Sequence, residues 1–293
     1  MLKKVSGFTV LGFLMLAQPA AAIDIMPGDY TVLPSGTNLA LLYGQYTTSS
    51  KLKVDGVGSI PDSKLGTAVG IARYVHFDTF AGVPVAVQAF IPFGGFTDAR
   101  IGGFDLRTKD GLGDLTMGFT FWPVSSADPR GTTIGITSYV TLPSGSFGGT
   151  PGTTGTASLG SGTTTFTPQI GLIQGLGNGF FLDASADVAI RSDFTDFGFN
   201  YSRDPSYQAQ AYLRYQFSKT TNVSFGYSGL FGGKDFVNGT YTGTKTRSDQ
   251  LRLFASTFLA PTVQLQGMIG TDIAAEGGFK QDFVGQVRLL KIF

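Results

Sequence analysis

Apolar and polar residues alternate with a period of two along much of this chain. The clearest run extends from Phe180 to Arg191, where the even-numbered positions are apolar and Asp183, Ser185 and Asp187 lie between them. Residues 206–217 repeat the pattern, with aromatic or aliphatic side chains opposite Gln and Arg. Successive side chains of a β-strand point to opposite faces of the sheet, so this period predicts strands with one apolar and one polar face.

About twelve such runs follow one another along the chain. After the N-terminus, no segment has the unbroken apolar run of about 20 residues that a transmembrane helix needs. The parity of the first two runs is ambiguous, because Arg73 stands in register with Val69, Ile71 and Val75. The predicted strands are 38–50, 64–77, 83–92, 113–122, 132–142, 163–174, 180–191, 206–217, 221–231, 249–260, 262–272 and 279–292.

The connections between these strands sort into two classes. Those after even-numbered strands are mostly short, as at 78–82 and 218–220, and those after odd-numbered strands are mostly long, as at 143–162. The connections at 123–131 and 273–278 depart from this trend. Outer-membrane barrels alternate short periplasmic turns with longer external loops. The sequence therefore predicts an all-β, antiparallel transmembrane β-barrel of about 12 strands with its N- and C-termini periplasmic.

Composition indicates which face of the strands meets water. Glycine contributes 42 residues, and charged residues make up 14% of the chain, against about a quarter in ordinary globular domains. A water-facing surface normally carries many Lys and Glu residues, whereas Glu276 is the single Glu of this chain. We therefore expect the apolar face to contact lipid and the polar face to line a hydrated lumen. Aromatic residues near strand ends are expected in the interfacial girdles, namely Phe121, Trp122, Phe180, Phe181, Tyr215 and Phe217.

Both ends of the chain carry sorting signals. Lys3 and Lys4, the apolar stretch 5–16 and the small residues before Ile23 predict a signal peptide, residues 1–22, cleaved after Ala22. Residues 23–37 are then a short periplasmic N-terminal segment with room to tuck into the barrel mouth, and 38–293 form the outer-membrane β-barrel. An apolar file with a period of two, interrupted by Lys291, leads to the C-terminus and is similar to the signal read by the barrel assembly machinery. Its members are Phe283, Gly285, Val287, Leu289 and Phe293.

Two motifs add a resemblance to a known family. One comprises Asp29-Tyr30, Leu33-Pro34 and the run from Gly36 to Tyr43, and the other comprises the run from Gly111 to Leu115, Gly118 and Phe121-Trp122. Together they resemble the family of exported proteins named after the phenol meta-degradation pathway, regarded as outer-membrane transporters for aromatic or other hydrophobic compounds. The resemblance implies a transport role in the outer membrane of a Gram-negative bacterium. The resemblance does not identify which residues of this chain would contact a substrate.

Charged and amide side chains on the predicted lumen face are the candidate solute path. Asp183, Asp187 and Arg191 share one face of a strand, and Arg214 faces the lumen on the next, where opposite charges can pair directly or diagonally. Such a network either rigidifies the wall or narrows the pore and screens solutes, and both interpretations stay open. Asp114 is expected near the outer rim, in a structural role or in solute binding. The full set is Asp114, Asp183, Asp187, Arg191, Gln210, Arg214, Arg252, Gln266 and Arg288.

Other kinds of chemistry find little support in the composition. With one His and no Cys, we expect no transition-metal site and no cofactor. A calcium site formed by Asp193, Asp196 and Asp204 would lack the ligand spacing of known sites. A formal net charge of +1 gives no reason to expect nucleic acid as a partner.

The leading prediction is a non-enzymatic channel for passive uptake of small compounds, hydrophobic or aromatic ones among them, through a polar-lined lumen. Its expected partners are membrane lipid and the solute. One alternative is a lipid-modifying enzyme, which would need His76 as its base; we expect His76 instead to anchor the chain at the periplasmic interface. The other alternative is a structural or surface-interaction barrel that acts through external loops, with 143–162 as the best candidate.

Overall fold

The computed structural model describes residues 23–147, 156–196 and 198–293. Every regular element in these ranges is a β-strand, and no helix there is long and apolar enough to cross a membrane. The predicted signal peptide lies outside the described residues. Twelve long strands, numbered β1 to β12, form one antiparallel sheet. Their bounds are Asn38–Val54, Lys64–Phe80, Val83–Ile101, Thr116–Val124, Thr132–Thr141, Thr165–Gly177, Phe180–Arg191, Ser206–Gln216, Thr221–Gly232, Arg247–Ala260, Val263–Glu276 and Gly278–Ile292.

The sheet closes on itself because the first strand pairs with the last. Leu41 in β1 lies opposite Arg73 in β2 on one side and opposite Leu290 in β12 on the other. Each of the other barrel strands pairs with its two neighbours in the chain. Closure satisfies the strand backbone where a bilayer offers no hydrogen-bonding partner. The predicted all-β barrel of about 12 strands is confirmed.

Some strands extend further than the sequence pattern indicates. β3 continues to Ile101, well past the expected end at residue 92, and its added length pairs with the first residues of β2, from Lys64 to Gly70. β4 begins at Thr116 instead of 113, because Gly111–Leu112 forms a separate short strand against β3. Both differences lie at the loop end of the barrel, on either side of the connection between β3 and β4.

The two ends of the barrel differ in their connections. One end, the turn end, carries both ends of the barrel chain and the connections 81–82, 125–131, 178–179, 217–220 and 261–262. The opposite end, the loop end, carries 55–63, 102–115, 142–164, 192–205 and 233–246, with the single residue Gly277 between β11 and β12. The predicted sorting of connections is confirmed, including the two departures from the trend.

Short strands give the loop end additional structure. Phe194–Asp196, Phe199–Arg203, Asp235–Val237 and Thr240–Tyr241 form a four-stranded sheet. Arg107–Lys109 pairs in parallel with Thr156–Ser158. These strands connect neighbouring loops. Part of the 143–162 loop, residues 148–155, lies outside the described residues.

The outer wall is apolar, and most of the inner wall is polar. On the outer face Leu42, Ile170 and Leu213 are about half exposed, whereas Gln169 and Asp183 on the inner face are buried. The predicted assignment of the two faces is therefore confirmed. The apolar C-terminal file also points outward, with Phe283, Val287, Leu289 and Phe293 exposed.

Near the turn end the inner wall is apolar instead of polar. Leu39 and Leu41 in β1 and Val75 and Phe77 in β2 are buried inside the barrel, and Arg73 shares their face. The ambiguous parity of these two strands thus has a physical reason. Their inner faces pack against apolar residues that enter the lumen, so both faces of each strand carry apolar side chains.

Two residues expected in the interfacial girdle point into the barrel. Trp122 is 3% exposed and stacks on Phe77 at 5.6 Å between ring centroids. The guanidinium carbon of Arg214 lies over the ring of Phe181, 4.4 Å from the ring centroid. Successive residues of a strand point to opposite faces, so Trp122 and Phe181 point inward because their neighbours Phe121 and Phe180 point outward. Phe180, Tyr215 and Phe217 do form an outward-facing aromatic cluster at the turn end.

Candidate functional site

The residues before β1 enter the barrel from the turn end. The Gly36 N–H donates a hydrogen bond to the Phe77 carbonyl, and the Asn38 N–H donates to that of Phe293, both at 2.9 Å. From there residues 23–33, which we call the luminal segment, run through the lumen as far as Gln208, close to the loop end. The segment therefore reaches much further into the barrel than the expected position at its mouth.

Apolar packing holds the luminal segment along most of its length. Ile25, Met26 and Tyr30 are 3–5% exposed. They form one cluster with inward-facing residues of the wall, and Val32 and Leu33 pack at its margin. The wall residues of this cluster are Leu39, Leu41, Tyr43, Val75, Phe77, Ala86, Trp122, Tyr212, Phe254, Met268, Val284 and Leu290.

A glycine notch in the wall receives the ring of Tyr30. Gly135 in β5 and Gly171 in β6 are direct partners across the two strands. A Cβ at Gly171 would lie 1.9 Å from the Tyr30 ring, and one at Gly135 would lie 2.5 Å away. The Tyr30 hydroxyl donates to Gln169 Oε1 at 2.9 Å, and Trp122 Nε1 donates to the Tyr30 carbonyl at 3.0 Å.

Ion pairs fix the register of the luminal segment. The Asp29 carboxylate pairs with Arg288 at 2.5 Å and lies 3.7 Å from Arg73. Asp24 pairs with Arg252 at 3.0 Å and accepts hydrogen bonds from Gln208 and Gln210. Breaking a buried ion pair such as that of Asp29 with Arg288 leaves an uncompensated charge and costs about 3–5 kcal/mol. Displacement of the segment is opposed by the same effect.

The predicted pairing between neighbouring strands is present in the wall. Asp183 in β7 pairs with Arg214 in β8 at 2.8 Å. The other carboxylate oxygen of Asp183 accepts a hydrogen bond from the Gly28 N–H at 2.9 Å. Gly28 has a φ of +90°, which glycine adopts more readily than other residues. The pair therefore holds the segment as well as the wall.

The remaining lumen candidates occupy different environments. Arg191 faces the lumen at the loop end of β7, and its buried Nε has no hydrogen-bond partner among the described residues. Asp187 accepts a hydrogen bond from Gln169 Nε2 at 2.9 Å. Gln266 is 1% exposed, and within the described ranges neither polar atom of its amide has a partner.

Asp114 braces the loops at the loop end. Its carboxylate accepts hydrogen bonds from the Gly145 N–H at 2.8 Å, the Ser161 N–H at 2.7 Å and the Ser161 hydroxyl at 2.6 Å. The side chain is buried under these contacts. This geometry favours the structural role for Asp114 over solute binding.

The residues that hold the luminal segment are not among the predicted lumen residues. Asp24, Asp29 and Tyr30 precede the first strand and follow no periodic pattern, so nothing assigned them to the lumen. One signal was present: Arg73 interrupts an apolar register in β2. A charge in an apolar file requires a partner, and the nearby carboxylate of Asp29 provides it.

The alternative sites do not assemble. In the described part of the chain no group of three or more His, Cys, Asp or Glu residues could hold a metal ion, and Asp193, Asp196 and Asp204 form none. His76 lies near the turn end, where its Nδ1 is 2.9 Å from Asn38 Oδ1. Tyr74 donates to the same oxygen, so these contacts fit an anchor at the interface.

The barrel is similar to that of a solved outer-membrane channel. An outer membrane channel from Pseudomonas putida F1 has 27% sequence identity and a TM-score of 0.82, with 92% of this chain and 100% of that chain covered. The NanC porin, at 9% identity, covers 86% of this chain and 98% of its own with a TM-score of 0.49. The transport unit of the autotransporter AIDA-I from Escherichia coli, at 7% identity, covers 93% and 94% with the same score.

The first of these structures places the barrel among outer-membrane proteins of Gram-negative bacteria. No curated protein sequence matches the chain. The family described as "Putative MetA-pathway of phenol degradation" matches residues 44–289, which is most of the barrel. The expected family resemblance is confirmed: this chain belongs to that family.

Proposed function

We propose that this protein is an outer-membrane channel for passive uptake of small hydrophobic or aromatic compounds. The observation that supports it best is the likeness of the whole barrel to an outer membrane channel. In the mature protein the signal peptide is removed after Ala22, the chain starts at Ile23, and both termini are periplasmic. Barrel assembly machinery recognises the C-terminal file that ends at Phe293.

The luminal segment divides the path of the solute into two parts. Near the turn end, packed apolar residues and ion pairs fill the lumen, so a solute must pass beside the segment or displace part of it. Towards the loop end the wall carries hydroxyl, amide and guanidinium groups. This polarity admits small solutes from water, and the apolar half favours those with a hydrophobic body.

Arg191 is the candidate for contact with an anionic group of the solute. Arg214, Arg252 and Arg288 each form an ion pair with a carboxylate, whereas Arg191 forms none with the described residues. Guanidinium groups bind carboxylates through paired hydrogen bonds. An aromatic acid would present a carboxylate to Arg191 while its ring faces the apolar half of the lumen.

Planar-bilayer recording and vesicle uptake test the channel directly. We expect small conductance steps and faster uptake of phenols and aromatic acids than of sugars of similar size. Arg191→Gln should lower the selectivity for anions, read from the reversal potential in a salt gradient. Arg130→Gln, a change in the 125–131 turn, is the matched control. A barrel that neither conducts nor takes up any of these compounds would contradict the proposal.

The channel needs no catalytic group, and we assign none. A lipid-modifying enzyme would lose its activity in a His76→Ala variant, whereas we expect no lipase activity in the native protein. A surface-interaction barrel would lose partner binding when residues 143–162 are deleted while its permeability stayed unchanged. Neither outcome is expected from a solute channel.

A further inference from the structure

One buried carboxylate in the lumen lacks a countercharge. Asp187 in β7 is 8% exposed, accepts a hydrogen bond from Gln169 Nε2, and forms no ion pair within the described ranges. The arginines nearby are committed elsewhere: Arg214 to Asp183, Arg252 to Asp24, and Arg288 to Asp29. Arg191 lies four residues further along the strand, about 13 Å away at 3.3 Å per residue.

A carboxylate in such a place is unfavourable unless a positive charge compensates it. Charged groups removed from water must be paired and hydrogen-bonded, and an amide donor alone does not neutralise the charge. Asp24, the carboxylate on the adjoining part of the luminal segment, carries the same sign. Asp187 has a single neutral donor, so a cation with several N–H donors would both compensate its charge and complete its hydrogen bonds.

Ile23 lies next to this carboxylate. The same Gln169 Nε2 that donates to Asp187 Oδ2 also donates to the Ile23 carbonyl, and both distances are 2.9 Å. A single amide nitrogen thus bridges the Asp187 carboxylate and the residue that follows the cleavage site. Gln169 and Asp187 are also direct partners across β6 and β7, so the strand pairing fixes the bridge.

We infer that Asp187 and Gln169 form a binding site for the α-ammonium group that signal-peptide removal creates on Ile23. This inference rests on the proposed cleavage after Ala22. Before cleavage the Ile23 nitrogen is a neutral amide with one N–H; afterwards it is an ammonium with three donors, because an α-amino group is protonated at neutral pH. The ligand is the chain's own primary ammonium. Maturation thereby completes the set of charges that holds the luminal segment.

Chemical labelling of the mature protein in detergent tests the site. The folded protein is treated with an amine-acetylating reagent at neutral pH, and mass spectrometry compares acetylation of Ile23 with that of Lys219 in the 217–220 turn. A paired ammonium gives up its proton reluctantly, so we expect Ile23 to react about tenfold faster in Asp187→Asn than in the native protein, the factor for one unit of α-amino pKa. Asp272→Asn is the matched control. Asp272 is an equally buried lumen carboxylate whose hydrogen bonds come from Ser248, Gln250 and the Gln281 N–H, and its change should leave Ile23 protected.

A second variant moves the amine and leaves Asp187 in place. Two glycines inserted between Ala22 and Ile23 should expose the new N-terminus to the reagent and lower the melting temperature in detergent. The inference is overturned if Ile23 reacts equally fast in the native protein and in Asp187→Asn, or if the mature chain starts at another residue. The labelling does not depend on transport. A barrel that does not conduct but whose Ile23 ammonium is protected would therefore contradict the proposed channel function and leave the ammonium site intact.

Discussion

At the scale of single residues, the barrel interior is organised around the luminal segment. Asp24 and Asp29 supply carboxylates to arginines of the wall, and Tyr30 supplies an aromatic ring to a notch. None of these interactions would hold the segment alone, since each must offset the conformational entropy lost when the segment is ordered. Together they favour one position of the segment.

The glycine notch provides a specific test of this arrangement. Gly171→Ala should displace the Tyr30 ring, because the added Cβ would lie 1.9 Å from a ring atom. Overpacking of this kind costs about 1–3 kcal/mol. We expect lower thermal stability and larger or noisier conductance steps in planar bilayers.

A double-mutant cycle separates loss of the notch from damage to the strand. In a Tyr30→Ala background the space is free, so Gly171→Ala should have little further effect on melting temperature or conductance. Equal destabilisation by Gly171→Ala in both backgrounds would show that the glycine serves the strand itself, and would contradict the notch.

At the scale of elements, the period of two predicted the strands well because a barrel strand has lipid on one face and the lumen on the other. The prediction failed where a third environment intervenes. β1 and β2 carry apolar side chains on both faces, and Trp122 points inward, because the luminal segment makes part of the lumen a packed core. The segment itself is short and has no periodicity, so the sequence shows its presence only indirectly, through the ambiguous parity of β1 and β2 and the charge of Arg73 in an apolar register.

Two turns at the turn end form a matched pair that tests turn chemistry. Ala81-Gly82 and Asn178-Gly179 each have two residues with positive φ: 48° and 80° in the first turn, 52° and 82° in the second. Tight hairpin turns of this kind favour Asn-Gly, and a left-handed backbone costs residues with a Cβ about 1–2 kcal/mol. Ala81→Asn should therefore raise the free energy of unfolding.

The matched control reverses the change in the second turn. Asn178→Ala should lower the free energy of unfolding by about the same amount, up to 1–2 kcal/mol. Reversible denaturation by urea in lipid vesicles measures both. Changes of the same sign in the two variants would disprove the explanation from backbone geometry.

Electrostatic contacts join the loops at the loop end. Lys245 in the 233–246 loop lies 3.0 Å from Asp55 in the 55–63 loop and from Glu276, and Tyr241 donates to Asp55 at 2.9 Å. The hydrogen bond from Lys245 holds the pKa of Asp55 below its ordinary value, and Asp55 holds the pKa of Lys245 above its ordinary value. Asp55 thus stabilises the contact above the ordinary Asp range, and this contribution is lost as the pH falls through its lowered pKa. The Lys245 contribution is lost only as the pH rises through its raised pKa.

This cluster gives the loops a pH window of stability, from roughly pH 4 to pH 10. Hydrogen exchange of residues 55–63, corrected for its intrinsic dependence on pH, should be slow at pH 6 and faster at pH 3. In Lys245→Met, exchange should be fast at both values. A loop whose corrected exchange does not change between these pH values in the native protein would show that Asp55 does not hold it.

At the scale of the whole molecule, the even number of strands sends both ends of the barrel chain to the turn end. Short turns face the periplasm in outer-membrane barrels, and the longer connections face outward. The luminal segment would then enter the pore from the periplasmic side, and Arg191 would lie on the external side of it. A solute arriving from outside would meet the polar half of the lumen first.

Single cysteines can test this orientation, because the chain contains none. Val57→Cys places a thiol in the 55–63 loop, where Val57 is 65% exposed, and Lys219→Cys places one in the exposed 217–220 turn. A membrane-impermeant maleimide added to intact cells should label the first variant and leave the second unlabelled. Once the outer membrane is permeabilised, both should react, which serves as the control for accessibility. Labelling of Lys219→Cys alone in intact cells would show that the barrel has the opposite orientation in the membrane. A solute from outside would then meet the apolar core before Arg191.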